Sequence, residues 1–401
     1  MNATYQSAWG LTIQSAGTLF AIKTTEFRYT SLVQEIIFGV DSFDGVKESV
    51  DRFHWQRLML CTSPSAQRNG LVTRIRADLG ARLVAVYDHV RSHVPDDQVA
   101  EALALASENK IDAIIGLGGG SSIGMAKAIS FDFEKKRDGS PTDQPRIPIL
   151  AIPTTYAGSE MTPVYGITQH ENSFARKVTV NDPRITPMLT IYDPRLTLDL
   201  PPDITAATGI NALAHCIEAV YSITRNPLAT AAALSGASCI AKQLPRCYAH
   251  GGDLEARTEM LIGSYLAGTA LAHVAMGLHH GICHILGGSA GVPHGVANSI
   301  MLPHVMRFNA DKLAHELAQI GDAMGLTHNG RTDFALAQAA AQCVYDMVGE
   351  MALPQHLREV GIKEADLPRL AQMAMASRTI QNNPKPITDS EQIETLLRAA
   401  W

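Results

Sequence analysis

The strongest constraint on this chain is a change of pattern at Leu200-Pro201-Pro202. Before it, short apolar runs alternate with helical stretches. Arg57 to Cys61 is one such run, closing in the polar turn Thr62-Ser63-Pro64. Leu83 to Tyr87 is a second, and Ile111 to Leu117, Ile149 to Ile152 and Leu189 to Tyr192 follow. Ala100 to Asn109 has helical periodicity instead. Strands separated by helices pair in parallel and take helices on both faces, so a doubly wound sheet is expected. The strand order cannot be read from this pattern. After Pro202 the strand signals stop. Helical stretches rich in Ala, Leu, His and Met run over 206–223, 228–244, 254–275, 278–287, 296–308, 312–324, 333–350 and 365–376. An all-helical second domain is expected.

A chain of 401 residues exceeds the usual single core, which also favours two domains. Apolar residues at 46% and charged residues at 18% describe a globular protein rather than a disordered one. A net charge of −6 with no Lys/Arg run argues against nucleic acid. No apolar run reaches the roughly 18 residues of a membrane span. Met1 to Lys23 holds an apolar patch, Leu19 to Ile22, without a basic leader, so a signal peptide is not expected. Six cysteines without C-x-x-C spacing suggest reduced thiols and a cytoplasmic location.

Two loops carry the first chemistry. Gly116-Leu117-Gly118-Gly119-Gly120-Ser121-Ser122 joins the third strand to its helix. Glycines let a backbone approach a diphosphate, and the amides opening the next helix attract its charge. The spacing is not G-x-G-x-x-G, and a plain strand-to-helix turn is the competing reading. Pro153-Thr154-Thr155-Tyr156-Ala157-Gly158-Ser159-Glu160 follows the fourth strand. Two such loops at the carboxyl ends of parallel strands favour a dinucleotide. The expected fold is thus α/β: an N-terminal doubly wound dinucleotide-binding domain (27–200) after an extension (1–26), then an all-helical catalytic domain (201–401).

The helical half contributes histidines. Asn211 and His215 are four apart, as are His280 and His284, so each pair shares a helix face. The Gly287-Gly288 and Gly291 bend can return His294 toward them. A single buried histidine is usually a hydrogen-bonded core residue, and His273, His279 and His304 are read that way. Four imidazoles and an amide grouped together would each need buried partners, which points instead to a site.

Taken in order, Gly118 to Lys127, Pro153 to Glu160, the Asn211/His215 helix and the His280 to His294 stretch resemble the iron-containing (group III) alcohol dehydrogenases. The resemblance runs from about Phe27 to the end. It implies an active site in the cleft between the two domains, a nicotinamide cofactor and a homodimer. It places the family's metal ligands on Asn211, His215, His280 and His294, and a further active-site histidine on His284. Asn211 and Gly124 stand where the metal-dependent members carry aspartate. Both departures, with Tyr156 to Pro163 and the ending Asn383 to Trp401, are similar to the maleylacetate reductase branch. Pro293 to Asn298 is phrased more like the alcohol dehydrogenases.

The resulting expectation is an NAD(P)H-dependent reductase of a maleylacetate-like, unsaturated keto-dicarboxylate in the breakdown of aromatic compounds. Tyr156 joins Asn211 and the four histidines as a catalytic candidate. Thr62, Ser63, Arg68, Gly118, Gly119, Gly120, Ser121, Ser122, Thr154, Thr155 and Ser159 are the cofactor candidates. No carboxylate ends the first strand to reject a ribose phosphate, so NADH and NADPH are both admitted. Iron or zinc is left open; if bound, it sits on His215, His280 and His294, with Asn211 a weak fourth ligand. The alternatives are a metal-dependent alcohol dehydrogenase and, in a different class, an inactive dinucleotide-binding regulator.

Overall fold

The structure is a computed structural model that describes residues 27–401 apart from 28, 93, 136–146 and 172–173. The expected extension, 1–26, lies outside the described residues. The first half builds β1 (Glu35–Phe38), α1 (Val46–Arg52), β2 (Leu58–Thr62), α2 (Pro64–Arg68), α3 (Leu71–Leu79), β3 (Leu83–Tyr87), α4 (Asp96–Glu108), β4 (Ala113–Gly118), α5 (Gly120–Lys135), β5 (Ile149–Pro153), β6 (Val164–Glu171), β7 (Phe174–Asn181) and β8 (Leu189–Tyr192). Six strands form one sheet in the order β1-β8-β5-β4-β2-β3, and every neighbouring pair is parallel.

Period-two alternation divides this sheet into two cores. Met59, Cys61 and Ile114 face α4 and α5, against Ala102, Ala106, Met125 and Ile129. Leu58, Leu60, Ile115 and Leu117 face the other way, against Val50, Val72 and Ile75 of α1 and α3. With both faces covered, β2, β4 and β5 are buried along their whole length. The chain leaves β2 toward α2 and α3 on one face and leaves β4 toward α5 on the other. Between the carboxyl ends of β2 and β4 the winding reverses, and open α/β sheets bind ligands in that crevice.

Two strand features lay outside the expectation. β1 is a short, half-buried edge strand paired only with β8, too brief to show a pattern. The antiparallel hairpin β6–β7 interrupts the parallel series after β5.

The second half is helical: α6 (Pro202–Tyr221), α7 (Pro227–Ala249), α8 (Leu254–Ala272), α9 (Leu278–Ala290), α10 (His294–Asn309), α11 (Ala314–Ala323), α12 (Asp333–Glu350), α13 (Leu367–Met375), α14 (Arg378–Gln381) and α15 (Ser390–Ala399). Pro202 occupies the first turn of α6, where its missing N–H costs nothing. The Asn226 side chain caps α7 by accepting the Ala229 N–H at 3.0 Å. Helix α7 continues through Pro245 to Ala249, past the expected end at 244. Sixteen of the twenty residues of α6 are buried, because α7, α8 and α10 enclose it. A central helix of this kind reads as apolar all round. Its polar positions, Asn211, His215 and Glu218, therefore sit in the interior.

Candidate active site

The loops after β4 and β5 are zipped together. The Thr154 N–H donates to the Gly118 carbonyl at 3.0 Å. Gly118 has φ +134°, and a Cβ there would lie 2.8 Å from Ser122 Oγ. A Cβ on Gly119 would lie 3.2 Å from the Thr155 side chain. The backbone thus passes where no side chain fits, and α5 begins at Gly120 with no acidic residue in its first turn. Ser121, Thr154, Thr155 and Ser159 border the same loops half-buried, and Ser122 is buried. These features fit a diphosphate.

Lys127, fully buried on α5, holds the second loop in place. Its ammonium donates to the Ser159 carbonyl at 2.5 Å, the Thr162 carbonyl at 2.7 Å and the Val164 carbonyl at 3.0 Å. Burial pushes its pKa down to about 7, against the pull of Glu160. Thr62 is buried, and its hydroxyl donates to the Leu117 carbonyl at 2.7 Å, joining β2 to β4 under the crevice. Ser63 is half-buried, and Arg68 is exposed at the end of α2.

The loop after β5 also meets the histidines. Asn211 donates to the Ala157 carbonyl at 3.4 Å, and a Cβ on Gly158 would lie 3.7 Å from His215 Nδ1. His215 and His280 stack with ring centroids 4.8 Å apart and planes 16° apart. His280 lies 6.4 Å from His284 and 6.0 Å from His294, and those two stack at 5.8 Å. The structure therefore brings all four histidines and Asn211 together. Asn211 Oδ1, His215 Nδ1 and His280 Nε2 are buried without a hydrogen-bond partner. Leaving such atoms unpaired costs about 1–3 kcal/mol each, and here three of them lie on neighbouring residues. Burial, then the neighbouring imidazoles, hold the His215 pKa well below the usual histidine value, so this ring is neutral.

Sequence reasoning missed Glu218. It is fully buried on α6, and its Oε2 accepts from His280 Nδ1 at 2.5 Å. The signal was there: Asn211, His215 and Glu218 continue one helix face at steps of four and three. Burial alone would raise the Glu218 carboxyl, but its bond to His280 and the backbone N–H groups hold it below the usual range.

The remaining candidates divide. Tyr156 is a correction. It is fully buried in the helical core, and its hydroxyl accepts from Arg257 Nη1 at 3.0 Å. The same guanidinium reaches Thr205 Oγ1 at 2.9 Å, so the tyrosine ties the loop to α6 and α8 rather than facing the imidazoles. His279 bonds Asn298 Oδ1 at 2.6 Å, and its pKa is lowered to about 4 by burial. His273 binds the Thr269 carbonyl at 2.8 Å and stacks on Tyr29. Each ring bonds the protein through one nitrogen, and His273 Nε2 and His279 Nδ1 are buried without a partner.

Comparison with known proteins now decides the family. The pattern of the iron-containing alcohol dehydrogenases matches residues 34–194, and that of the Fe-containing alcohol dehydrogenase family C-terminal domain matches 205–401. The chain belongs to the iron-containing alcohol dehydrogenase family. It is 34% identical to maleylacetate reductase 1 of Cupriavidus pinatubonensis, over 94% of this chain and 97% of that one. Maleylacetate reductase from Rhizobium sp. strain MTP-10005 superposes with a TM-score of 0.81 at 32% identity, covering 94% of this chain and 99% of its own. The iron-containing alcohol dehydrogenase of Corynebacterium glutamicum gives 0.80 at 31%, covering 94% and 97%. These relatives place the chain in the maleylacetate reductase branch of the family.

The family name implies iron, and the donor set can be tested for it. The position one turn before His215 holds a neutral amide, a poor ligand for a divalent cation. Among the described residues, no three acidic, thiol or imidazole side chains converge at ligating separations. His215 and His280 lie face to face rather than splayed around a common centre. As arranged, these residues do not form a metal cage, and no step below is routed through one.

Proposed function

We propose that this chain is an NAD(P)H-dependent reductase of maleylacetate-like substrates, converting maleylacetate to 3-oxoadipate in aromatic-compound breakdown, as a cytoplasmic homodimer. The observation that carries the reading is the amide of Asn211 among four imidazoles. None of the five grouped positions is acidic, and the nearby Glu218 carboxylate is turned to N–H groups of Gly277, His279 and His280. With an amide rather than an aspartate at 211, a dicarboxylate meets one negative charge fewer there. The similarity to maleylacetate reductases over nearly the whole chain supports the same substrate class.

The loops after β4 and β5 would hold the diphosphate of a nicotinamide dinucleotide, which would supply the hydride. In such a substrate the hydride adds to the alkene carbon β to the ketone, and the displaced electron pair moves to the ketone oxygen. The charge then rests on an enolate, which hydrogen-bond donors stabilise without a Lewis acid. The unspent ring nitrogens of the site, His215 Nδ1 and His280 Nε2, are donors only when protonated, and the unspent atom of Asn211, Oδ1, is an acceptor. A proton delivered to the carbon α to the ketone completes the reduction. His284 and His294, at the half-buried mouth, suit the carboxylates.

The test is oxidation of NADH and NADPH with maleylacetate and with a panel of aldehydes, before and after exhaustive chelation. Chelator-resistant turnover of maleylacetate supports the reading. Aldehyde reduction lost on chelation, with no turnover of maleylacetate, would instead establish the metal-dependent alcohol dehydrogenase alternative. The alcohol-dehydrogenase-like Pro293 to Asn298 segment favours that second reading.

A further inference from the structure

We propose that Glu218 is the positioning residue of this site: it fixes the tautomer of His280 and sets the register of α9 against α6. The carboxylate accepts four hydrogen bonds from Gly277, His279 and His280, and the Tyr221 hydroxyl lies beside it. Oε1 receives the Gly277 N–H at 3.1 Å and the His279 N–H at 3.2 Å. Oε2 receives the His280 N–H at 3.2 Å and His280 Nδ1 at 2.5 Å. Gly277, the residue preceding α9, makes no side-chain cap of its own, so a residue from another helix caps α9. A Cβ on Gly277 would lie 3.2 Å from Glu218 Oε1, so glycine leaves room for the contact.

The chemical consequence follows from donor counting. An ionised carboxylate only accepts, so the His280 nitrogen facing it must carry a proton. In neutral His280 that leaves Nε2 as the bare nitrogen, and Nε2 is the atom buried without a partner. Glu218 therefore decides which nitrogen of His280 is left to meet the substrate. It also lies one turn from His215 on α6, and the ring it holds, His280, is the one stacked on His215. The inference rests on the proposed reductase only for its kinetic arm.

The test is nitrogen-15 NMR of the histidine rings in the intact chain, with His280 assigned by comparison with His280→Gln. Wild type should show neutral His280 protonated at Nδ1. In Glu218→Gln one end of the side chain becomes a donor, so the Nε2–H form should take over. With maleylacetate, kcat should fall roughly 10- to 100-fold while KM for NADH stays within about twofold, as for other residues that orient a reacting histidine. Glu218→Asp keeps the charge at shorter reach and should recover part of the lost kcat. A wild-type ring protonated at Nε2 overturns the proposal, and so does Glu218→Gln with an unchanged tautomer and kcat. Equal losses of kcat and cofactor affinity in both variants would show a purely structural role and also overturn it. Should Glu218→Gln fail to fold, the wild-type tautomer and Glu218→Asp decide. The tautomer is read without substrate, so a chain that leaves maleylacetate untouched still answers the question.

Discussion

His215 of α6 and His280 of α9 lie ring over ring, 4.8 Å between centroids. Two imidazolium ions stacked this closely would repel. His215 is the ring held neutral by burial, and His280 is the ring backed by the Glu218 carboxylate. The site is therefore asymmetric: the α6 ring is desolvated with Nδ1 unpartnered, and the α9 ring has a carboxylate behind it.

That asymmetry makes Asn211 the most informative position to change. Asn211→Asp adds a carboxylate one turn from His215 and restores the donor that the resemblance assigns to metal-dependent relatives. Zinc affinity, read by calorimetry, should rise by at least tenfold, on the order expected for a carboxylate replacing an amide. Turnover of a dicarboxylate should fall roughly tenfold or more from charge repulsion. Unchanged zinc affinity together with unchanged kcat/KM would remove Asn211 from the site.

The cofactor crevice gives a second prediction. Arg68 is exposed at the end of α2, beside the turn that leaves β2 without an acidic residue. Arg68→Ala should raise KM for NADPH roughly tenfold, on the scale of a lost charge-assisted phosphate contact, and leave KM for NADH nearly unchanged. Wild-type protein that uses NADH alone would contradict it.

Gly119 tests the zipped loops. Its missing Cβ faces Thr155, so Gly119→Val should wedge the two loops apart as well as crowd the diphosphate. Cofactor affinity should drop at least tenfold while far-ultraviolet circular dichroism stays unchanged, since overpacking at a loop typically costs about 1–3 kcal/mol. Normal NADH binding by the variant would reduce the glycine run to a turn.

A fourth prediction concerns acid stability. Burial, with Arg307 and His356 nearby, lowers the His304 pKa to about 4, below its ordinary value. An unfolded chain therefore binds a proton that the folded chain refuses, and stability is lost as pH falls from about 6.5 toward 4. The loss from this residue is about 2 kcal/mol once partial exposure is allowed for. His304→Phe should show a shallower fall in unfolding free energy over that window. Equal slopes for the two proteins would mean that His304 protonates freely in the fold.

Much of this protein was decided locally. Strand and helix periodicities announced the α/β half and the helical half, because burial on a sheet face or helix stripe repeats every two or 3.6 residues. Glycine runs marked backbone with no room for a side chain, and i, i+4 spacing put Asn211 with His215 and His280 with His284. Tertiary structure decided what spacing cannot reach. The strand order, and with it the crevice between β2 and β4, depends on which way each crossover turns. The edge strand β1 is too short and half-buried to signal itself. Tyr156 sits in the right loop, yet its hydroxyl turns to Arg257 in the helical core. Glu218 reads on the sequence as one more polar residue of an apolar helix. It acquires a purpose only when α9 packs beside it and offers three backbone N–H groups and an imidazole that need an acceptor. Local pattern sets which face a side chain occupies, and the packing of distant elements sets what that face meets.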